Sequence, residues 1–589
     1  MRKLIISLLA ALPVAAAAQT LHQDIDVDQQ TAPVKREAAR ITILPEVKLP
    51  AINRPALSYS SKVVSTRVPG VISTLEPAAW VDPEAATDTR GYITGGIFPL
   101  FNADISAGFR ILDTDRTRLS LWGQYDGRIY HRGHYANLVA DPPNAGKALW
   151  RDHTATVGLD LHQTIGSRAI LDAGLDYTYG HNNIWSDFGE GRGMYSRTSS
   201  RVNFNASYSS SAEGLNYSAR VRFNRFAFTH AGGDHVYSDL TFNDMNLVAQ
   251  NLFGVGASGS LALGETSMVA LDADLNMLHT GDHIGLSIPY KYDFMHSVDA
   301  ATSGIFSVRP RFINRTSTTS VTIGAVMDVA IKSGKALNFA PDVTLAWMPS
   351  QIFGIELSGK GGTVLNSVCS LYEGVSPYLN TSLAYGSSRL LYDLGGNLSF
   401  GPFLNFTVEA FAHYARTDGW LMPVFTHGVF NGGTAFERLD LKGHHLGVNL
   451  RYDNGRNIAV KAGWSTAPSS QFRGWYEWRD RARQVVDAEL TVRPLKPLAI
   501  SAGFELRSGR AFYEYKSAPS TGDATVQYYD TRRISLGTVA NLRLAASWRY
   551  TKKLTFFVSG ENLLSRRWNL IGSRPTQGAT GLVGASYKF

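Results

Sequence analysis

The chain has 589 residues, with 57 Lys and Arg against 49 Asp and Glu, a formal charge of +8. Its 44 % apolar and 18 % charged residues exclude a disordered chain, and a single cysteine, Cys369, excludes an intramolecular disulfide framework and a cysteine metal cluster. A mean hydropathy of −0.11 is too polar for a helical membrane protein, whereas 55 Gly, 26 Tyr and 28 Phe suit a β-rich protein with aromatics at interfaces.

The chain begins Met1-Arg2-Lys3, continues as an apolar run over 4–18 that ends in four alanines, and turns polar at Gln19-Thr20. This reads as a secretory signal over 1–18, too short for a membrane span of ~20 residues. The absence of a cysteine at the cleavage point excludes a lipoprotein. Residues 19–90 follow and hold seven of the 23 prolines. Proline at that density favours extended, unpaired chain. Short alternating pieces survive there, at 24–28 and 41–44. They allow a periplasmic or lumenal strap that docks on a sheet edge or threads a pore; the alternative is a plain periplasmic tail.

From 91 to 589 the pattern is strand-like. Val202, Phe204, Ala206 and Tyr208 alternate with Asn203, Asn205 and Ser207. Leu215, Tyr217, Ala219, Val221 and Phe223 alternate with Asn216, Ser218, Arg220, Arg222 and Asn224. The same period recurs at Leu446 to Tyr452, at Leu542 to Tyr550 and at Val583 to Phe589. Period two means a sheet with one apolar and one polar face. Strands of ~10 residues match a tilted crossing of hydrocarbon. Aromatics at strand ends (Tyr208, Tyr452, Tyr550, Tyr587) match an interfacial girdle. Short connections near 113–116, 166–168, 212–214, 264–266, 315–317, 349–352, 401–403, 454–456, 494–497 and 551–553 are separated by mostly long segments. Two connections on the long side are short, near 99–102 and 333–335. These divisions predict a transmembrane antiparallel β-barrel of about 22 strands, with short turns and both termini on the periplasmic side. Its apolar face would meet outer-membrane lipid.

The last hairpin, with Glu561-Asn562-Leu563 closing one strand and Phe589 closing the other, resembles that of TonB-dependent outer-membrane receptors of Gram-negative bacteria. The resemblance spans roughly 90 to 589 and implies twenty-two strands, solute uptake, and a terminal signal at Tyr587 and Phe589 read by the barrel-assembly machinery. It departs at the front, since 19–90 is too short for the plug domain of such receptors. The chain therefore reads as a plugless relative. Ile41-Thr-Ile-Leu44 would be the candidate TonB contact.

No nucleophile elbow, P-loop, His-Glu-x-x-His or paired-cysteine motif is present. No cofactor is implied, and the chain does not read as an enzyme. His444 and His445 are neighbours on a strand and so point to opposite faces. Arg220, Arg222, Arg451, Arg543 and Arg549 fall on the lumenal phase. They would either focus a positive potential for anions or pair with inward carboxylates such as Asp160, Glu409, Asp453, Glu489 and Glu561. An outer loop carries Trp475, Tyr476, Trp478 and Arg479, fit for a sugar, a partner or lipopolysaccharide phosphates, or for packing inward. Cys369 falls in an outer loop over 363–388. The spread of charge excludes nucleic-acid binding. Three functions remain open: solute uptake through the lumen, a membrane anchor for a periplasmic or surface partner reached through 19–90, and an outer-membrane hydrolase, which would need a Ser/His/Asp cluster at one rim.

Overall fold

The computed structural model describes residues 89–97, 102–133, 147–186, 193–212, 214–233, 248–286, 295–374, 386–426, 433–466, 482–517, 529–566, 568 and 576–589. The signal, almost all of the 19–90 segment and the aromatic loop at 475–479 lie outside the described residues. The strands are β1 (Gly91–Ile97), β2 (Ala103–Asp113), β3 (Thr117–Gly133), β4 (Lys147–Ile165), β5 (Ala169–Ser186), β6 (Gly193–Ala212), β7 (Leu215–Gly233), β8 (Ala249–Ala262), β9 (Ser267–Thr280), β10 (His283–Leu286), β11 (Met295–Val298), β12 (Ala301–Arg315), β13 (Thr319–Ile331) and β14 (Leu337–Ser350). They continue with β15 (Phe353–Leu365), a helix α1 (Val368–Gly374), β16 (Ser387–Phe403), β17 (Phe406–Asp418), β18 (Trp420–Thr426), β19 (Gly433–Leu439), β20 (Lys442–Asp453), β21 (Ile458–Thr466), β22 (Gln484–Leu495), β23 (Leu498–Ser508), β24 (Ala511–Ser517), β25 (Tyr529–Ser535), β26 (Val539–Arg549), β27 (Leu554–Glu561) and β28 (Thr580–Lys588).

Twenty-two of these strands form one antiparallel sheet that closes on itself. The closing pair is β1 with β28, in register from Tyr92↔Lys588 to Ile97↔Val583. Beyond it Gly91 and Phe589 exchange backbone hydrogen bonds of 2.9 Å in both directions. Closure leaves no unpaired edge in the 22-stranded sheet, which hydrocarbon demands. Tyr217, Val221, Leu544 and Val583 are 43, 37, 46 and 56 % exposed. They face outward with no second layer over them among the described residues, and the closed sheet makes the apolar face a lipid-facing belt. No helix among the described residues is long and apolar enough to cross a membrane.

The ten short turns fall on one rim, and β1 begins and β28 ends there. One turn is displaced from its expected place: the strand runs on through Pro402, and the reversal uses Leu404 and Asn405, both at positive φ (50° and 69°). The pairing is irregular between Phe400 and Phe403, where proline cannot donate to the ladder. The girdle at this rim is made of ring pairs. Centroids lie 6.3 Å apart for Tyr208–Tyr217, 4.6 Å for Phe406–Tyr452, 6.2 Å for Tyr550–Phe556 and 6.2 Å for Tyr587–Phe589.

On the other rim the described parts of several expected loops hold regular structure. Strands β3 to β7 have 17, 19, 18, 20 and 19 residues, so they reach into 131–150, 182–198 and 230–243. Above the membrane both strand faces meet water or protein, so the pairing continues while the apolar alternation fades. The connections over 417–440 and 511–537 hold the hairpins β18–β19 and β24–β25, joined into a four-stranded sheet. The 363–388 connection holds α1.

Candidate functional site

The site is the place where α1 meets the inner wall. The helix starts on Ser367, whose hydroxyl accepts from the Ser370 amide at 3.1 Å, an N-cap geometry. Its base is pinned by Asn366, whose amide donates to the Gly386 carbonyl at 3.0 Å and whose side chain donates to Ser388 Oγ at 2.9 Å. From that base the helix does not point outward. It contacts β5, β6, β7 and β8, which β9, β12, β13 and β14 separate from β15 around the ring. α1 therefore lies against a part of the inner wall remote from its own root.

The contact has an apolar centre and a polar rim. Val368, Cys369 and Leu371 pack with Phe226 and Phe228 of β7, with Val248, and with Leu421 and Phe436 of the β18–β19 hairpin; Tyr372 lies against this cluster. The Tyr372 ring sits 5.0 Å from that of Phe226 and 5.8 Å from that of Phe228. Its hydroxyl accepts from Asn182 Nδ2 and from Ser199 Oγ, each at 2.9 Å. The Val368 amide donates to Gln250 Oε1 at 2.6 Å, Glu373 forms an ion pair with Arg201, and the Arg197 guanidinium lies 4.6 Å from the Phe228 ring centroid. Burial pushes the Cys369 thiol up to about 11 and also raises Tyr372. The Cys369 thiol is therefore protonated and shielded at neutral pH.

Sequence reasoning missed Phe226 and Phe228. On β7 the outward residues up to Phe223 are odd-numbered, and the register pairs Phe226 with Arg201 and Phe228 with Ser199, both lumenal. The apolar phase therefore reverses after Asn224. That reversal is the signal in the sequence for a protein contact inside the bore.

The five expected lumenal arginines do face inward, but they do not form one site. Arg220 makes a bidentate pair with Asp274, at 2.7 and 2.6 Å from Nη2. It reaches across β8 because Gly256 leaves room, and a Cβ there would collide with both partners. Arg222 crosses Gly254 in the same way but donates to the neutral Asn276 side chain, at 3.0 and 2.6 Å. Arg451 lies 3.8 Å from Asp453. Arg543 is buried with Glu561 and Asp487 as charged neighbours. Arg549 donates to the Lys496 carbonyl at 3.3 Å, beside a short turn. Of the carboxylates expected as partners, Glu489 lies 4.0 Å from Lys461, and Asp160 accepts from the Trp122 indole at 2.7 Å. Bracing of the wall thus accounts for most of these charges.

Lower on the same wall, toward the short turns, a recess of about 460 Å³ is lined by Ser209, Ser218, Ser258, Ser260, Asp272 and Arg311, among others. His445 faces the lumen beside Phe411, with ring centroids 5.0 Å apart. His444 sits on the outer face opposite Tyr414. No group of three or more metal-capable side chains gathers among the described residues.

No known protein family matches the sequence as a profile, and no curated protein is significantly similar to it. Solved structures do match. The ferric enterobactin receptor of Pseudomonas aeruginosa superposes with a TM-score of 0.60 at 10 % identity, over 86 % of this chain and 82 % of that one. The siderophore receptor PirA of Acinetobacter baumannii gives 0.60 at 9 %, over 85 % and 80 %. The outer membrane transporter YddB of Escherichia coli gives 0.56 at 11 %, over 85 % and 80 %. The chain has the barrel fold of these receptors.

Proposed function

We propose that the protein is a gated solute-uptake barrel of the outer membrane, with α1 as the closure of its lumen. The observation that carries this is the docking of α1 on the inner wall of β5 to β8, with a recess of mixed polar and apolar lining lower on the same wall. The names of the structural neighbours, receptors and transporters, support the reading. Uptake then requires α1 to leave its seat. We assign the periplasmic contact that drives this, TonB or another partner, to the proline-rich 19–90 segment, acting as a strap in place of a plug. Arg222, whose hydrogen bonds go to a neutral amide, gives the wall below the gate a cation for anionic solutes. Tyr587 and Phe589 serve assembly, and residues 475–479 serve outer-surface contact.

The test is conductance in planar bilayers. The intact barrel should conduct weakly, and Tyr372→Ala combined with Glu373→Ala should raise the open-state current and shift it toward anions. If a correctly folded double variant stays closed, the lumen is sealed by design. The anchor reading would then replace uptake.

A further inference from the structure

The recess low on the β5 to β12 wall has a simple origin. Ser209, Ser218 and Ser258 stand in register across β6, β7 and β8, and Ser211, Asn216 and Ser260 form the next row toward the short turns. They share the lumenal phase of β7 with Arg220 and Arg222, which fill the rows above. Short side chains on three adjoining strands sink the wall, and a recess of about 460 Å³ results. Arg168 and Ile170 bound it on one side, and Asp272, Arg311 and Ile313 bound it on the other. A second recess of about 500 Å³ adjoins it at the turn before β5 and shares Arg168, Ile170 and Ser211.

The recess holds one uncompensated positive charge. Asp272 forms an ion pair with Arg311, so that side is neutral. Arg168 is exposed, and its guanidinium has no hydrogen bond or ion pair among the described residues. The hydroxyls also keep bonding capacity. Ser218 and Ser258 share one hydrogen bond of 2.6 Å, and Ser211 Oγ donates to Asn216 Oδ1 at 2.6 Å. A hydroxyl has one proton and two lone pairs, so each of these oxygens can still accept. The Ser209 hydroxyl has no partner among the described residues. Ile170 and Ile313 add apolar surface beside this row.

We propose that the recess is a subsite for a hydroxylated organic acid, a sugar acid of one or two rings. The Arg168 guanidinium would take the carboxylate, the serine row the hydroxyls, and Ile170 and Ile313 the C–H face of a ring. The volume suits a small ligand. An acid without hydroxyls would leave the serine row unmatched, and a neutral sugar would leave Arg168 unmatched. The proposal rests on the uptake reading and names its solute class. Binding itself needs no opening of α1, because the recess lies below the helix at the short-turn rim.

The experiment is calorimetric titration of the full chain, folded in detergent, with digalacturonate, maltose and adipate. Digalacturonate should bind roughly tenfold or more tightly than either of the others, the worth of a charge-assisted hydrogen bond. Arg168→Gln should remove that advantage and leave maltose unchanged, and Arg168→Lys should keep most of it. Ser209→Ala with Ser258→Ala should weaken digalacturonate and maltose alike and leave adipate unchanged. Equal affinity for the three ligands would overturn the proposal. So would digalacturonate binding that ignores Arg168→Gln in a barrel that still runs as the folded band in electrophoresis. A barrel that binds in the expected order but never conducts would sink the gate and keep the recess. One that conducts without that order would do the reverse.

Discussion

Two walls of the same barrel follow different rules. The wall from β3 to β7 has strands of 17 to 20 residues, and β6 alone rises roughly 45 Å at a 45° tilt. The wall at the closing seam has β27, β28 and β1 of 8, 9 and 7 residues, about 20 Å for the longest. The seam ends where the membrane ends, and its sequence answers to lipid and to backbone contact. The tall wall continues past the membrane, and there its inner face answers to another part of the protein. One barrel thus carries two kinds of apolar pattern, and α1 sits where the second begins.

The largest effect that tests this contrast belongs to the seam. A Cβ on Gly584 would overlap the Gly95 carbonyl oxygen and the Phe557 ring. Gly584→Val should therefore cost about 3 kcal/mol or more through overpacking at the pair on which closure depends. The folded, heat-modifiable band in electrophoresis should fall sharply. An unchanged band would show that the seam tolerates separation, and the short wall would lose its special status.

The next effect belongs to the tall wall. Phe226 is 2 % exposed against Tyr372 and the α1 cluster, so Phe226→Ala should weaken the seat by about 3 kcal/mol. Because this residue lies above the lipid-facing belt, barrel folding should be preserved. Channel openings in planar bilayers should become frequent. Loss of folding without openings would mean that the cluster braces the wall and does not gate it.

This contrast also explains what the sequence made legible. Lipid imposes one rule on every strand it touches, so alternation at Leu215 to Phe223 or Leu446 to Tyr452 gave the strand count and the rim of each turn. Above the membrane that rule lapses. Thr198 and Asn182 continue their strands without an apolar phase and read as loop. α1 has only seven residues, too few for a helical period, and its direction depends on a wall far away in sequence. Only Phe226 and Phe228, apolar on the polar phase of β7, pointed to it. The partners of the arginines were not foreseeable. Arg220 reaches Asp274 only because Gly256, on the intervening strand, has no side chain.

The smallest effect concerns Cys369 and turns on pH. Burial holds its thiol at about 11 in the docked helix, against an ordinary 9.0. Below pH 9 the thiol is protonated whether α1 is docked or released, so the docked state keeps its full stability there. As pH rises from 9 through 11, the released thiol ionises first and the docked state loses about 2 to 3 kcal/mol at most. Tyr372 is raised in the same sense, so Cys369→Ala separates the two contributions. The measurement is the rate of maleimide labelling of the folded barrel. Labelling should be slow at pH 8, and between pH 9 and 11 it should rise more steeply than thiolate formation alone allows. Channel openings should increase over the same range, and less so in Cys369→Ala. Rapid labelling at pH 8 would mean that α1 leaves its seat unaided, and the tall wall would then hold no gate.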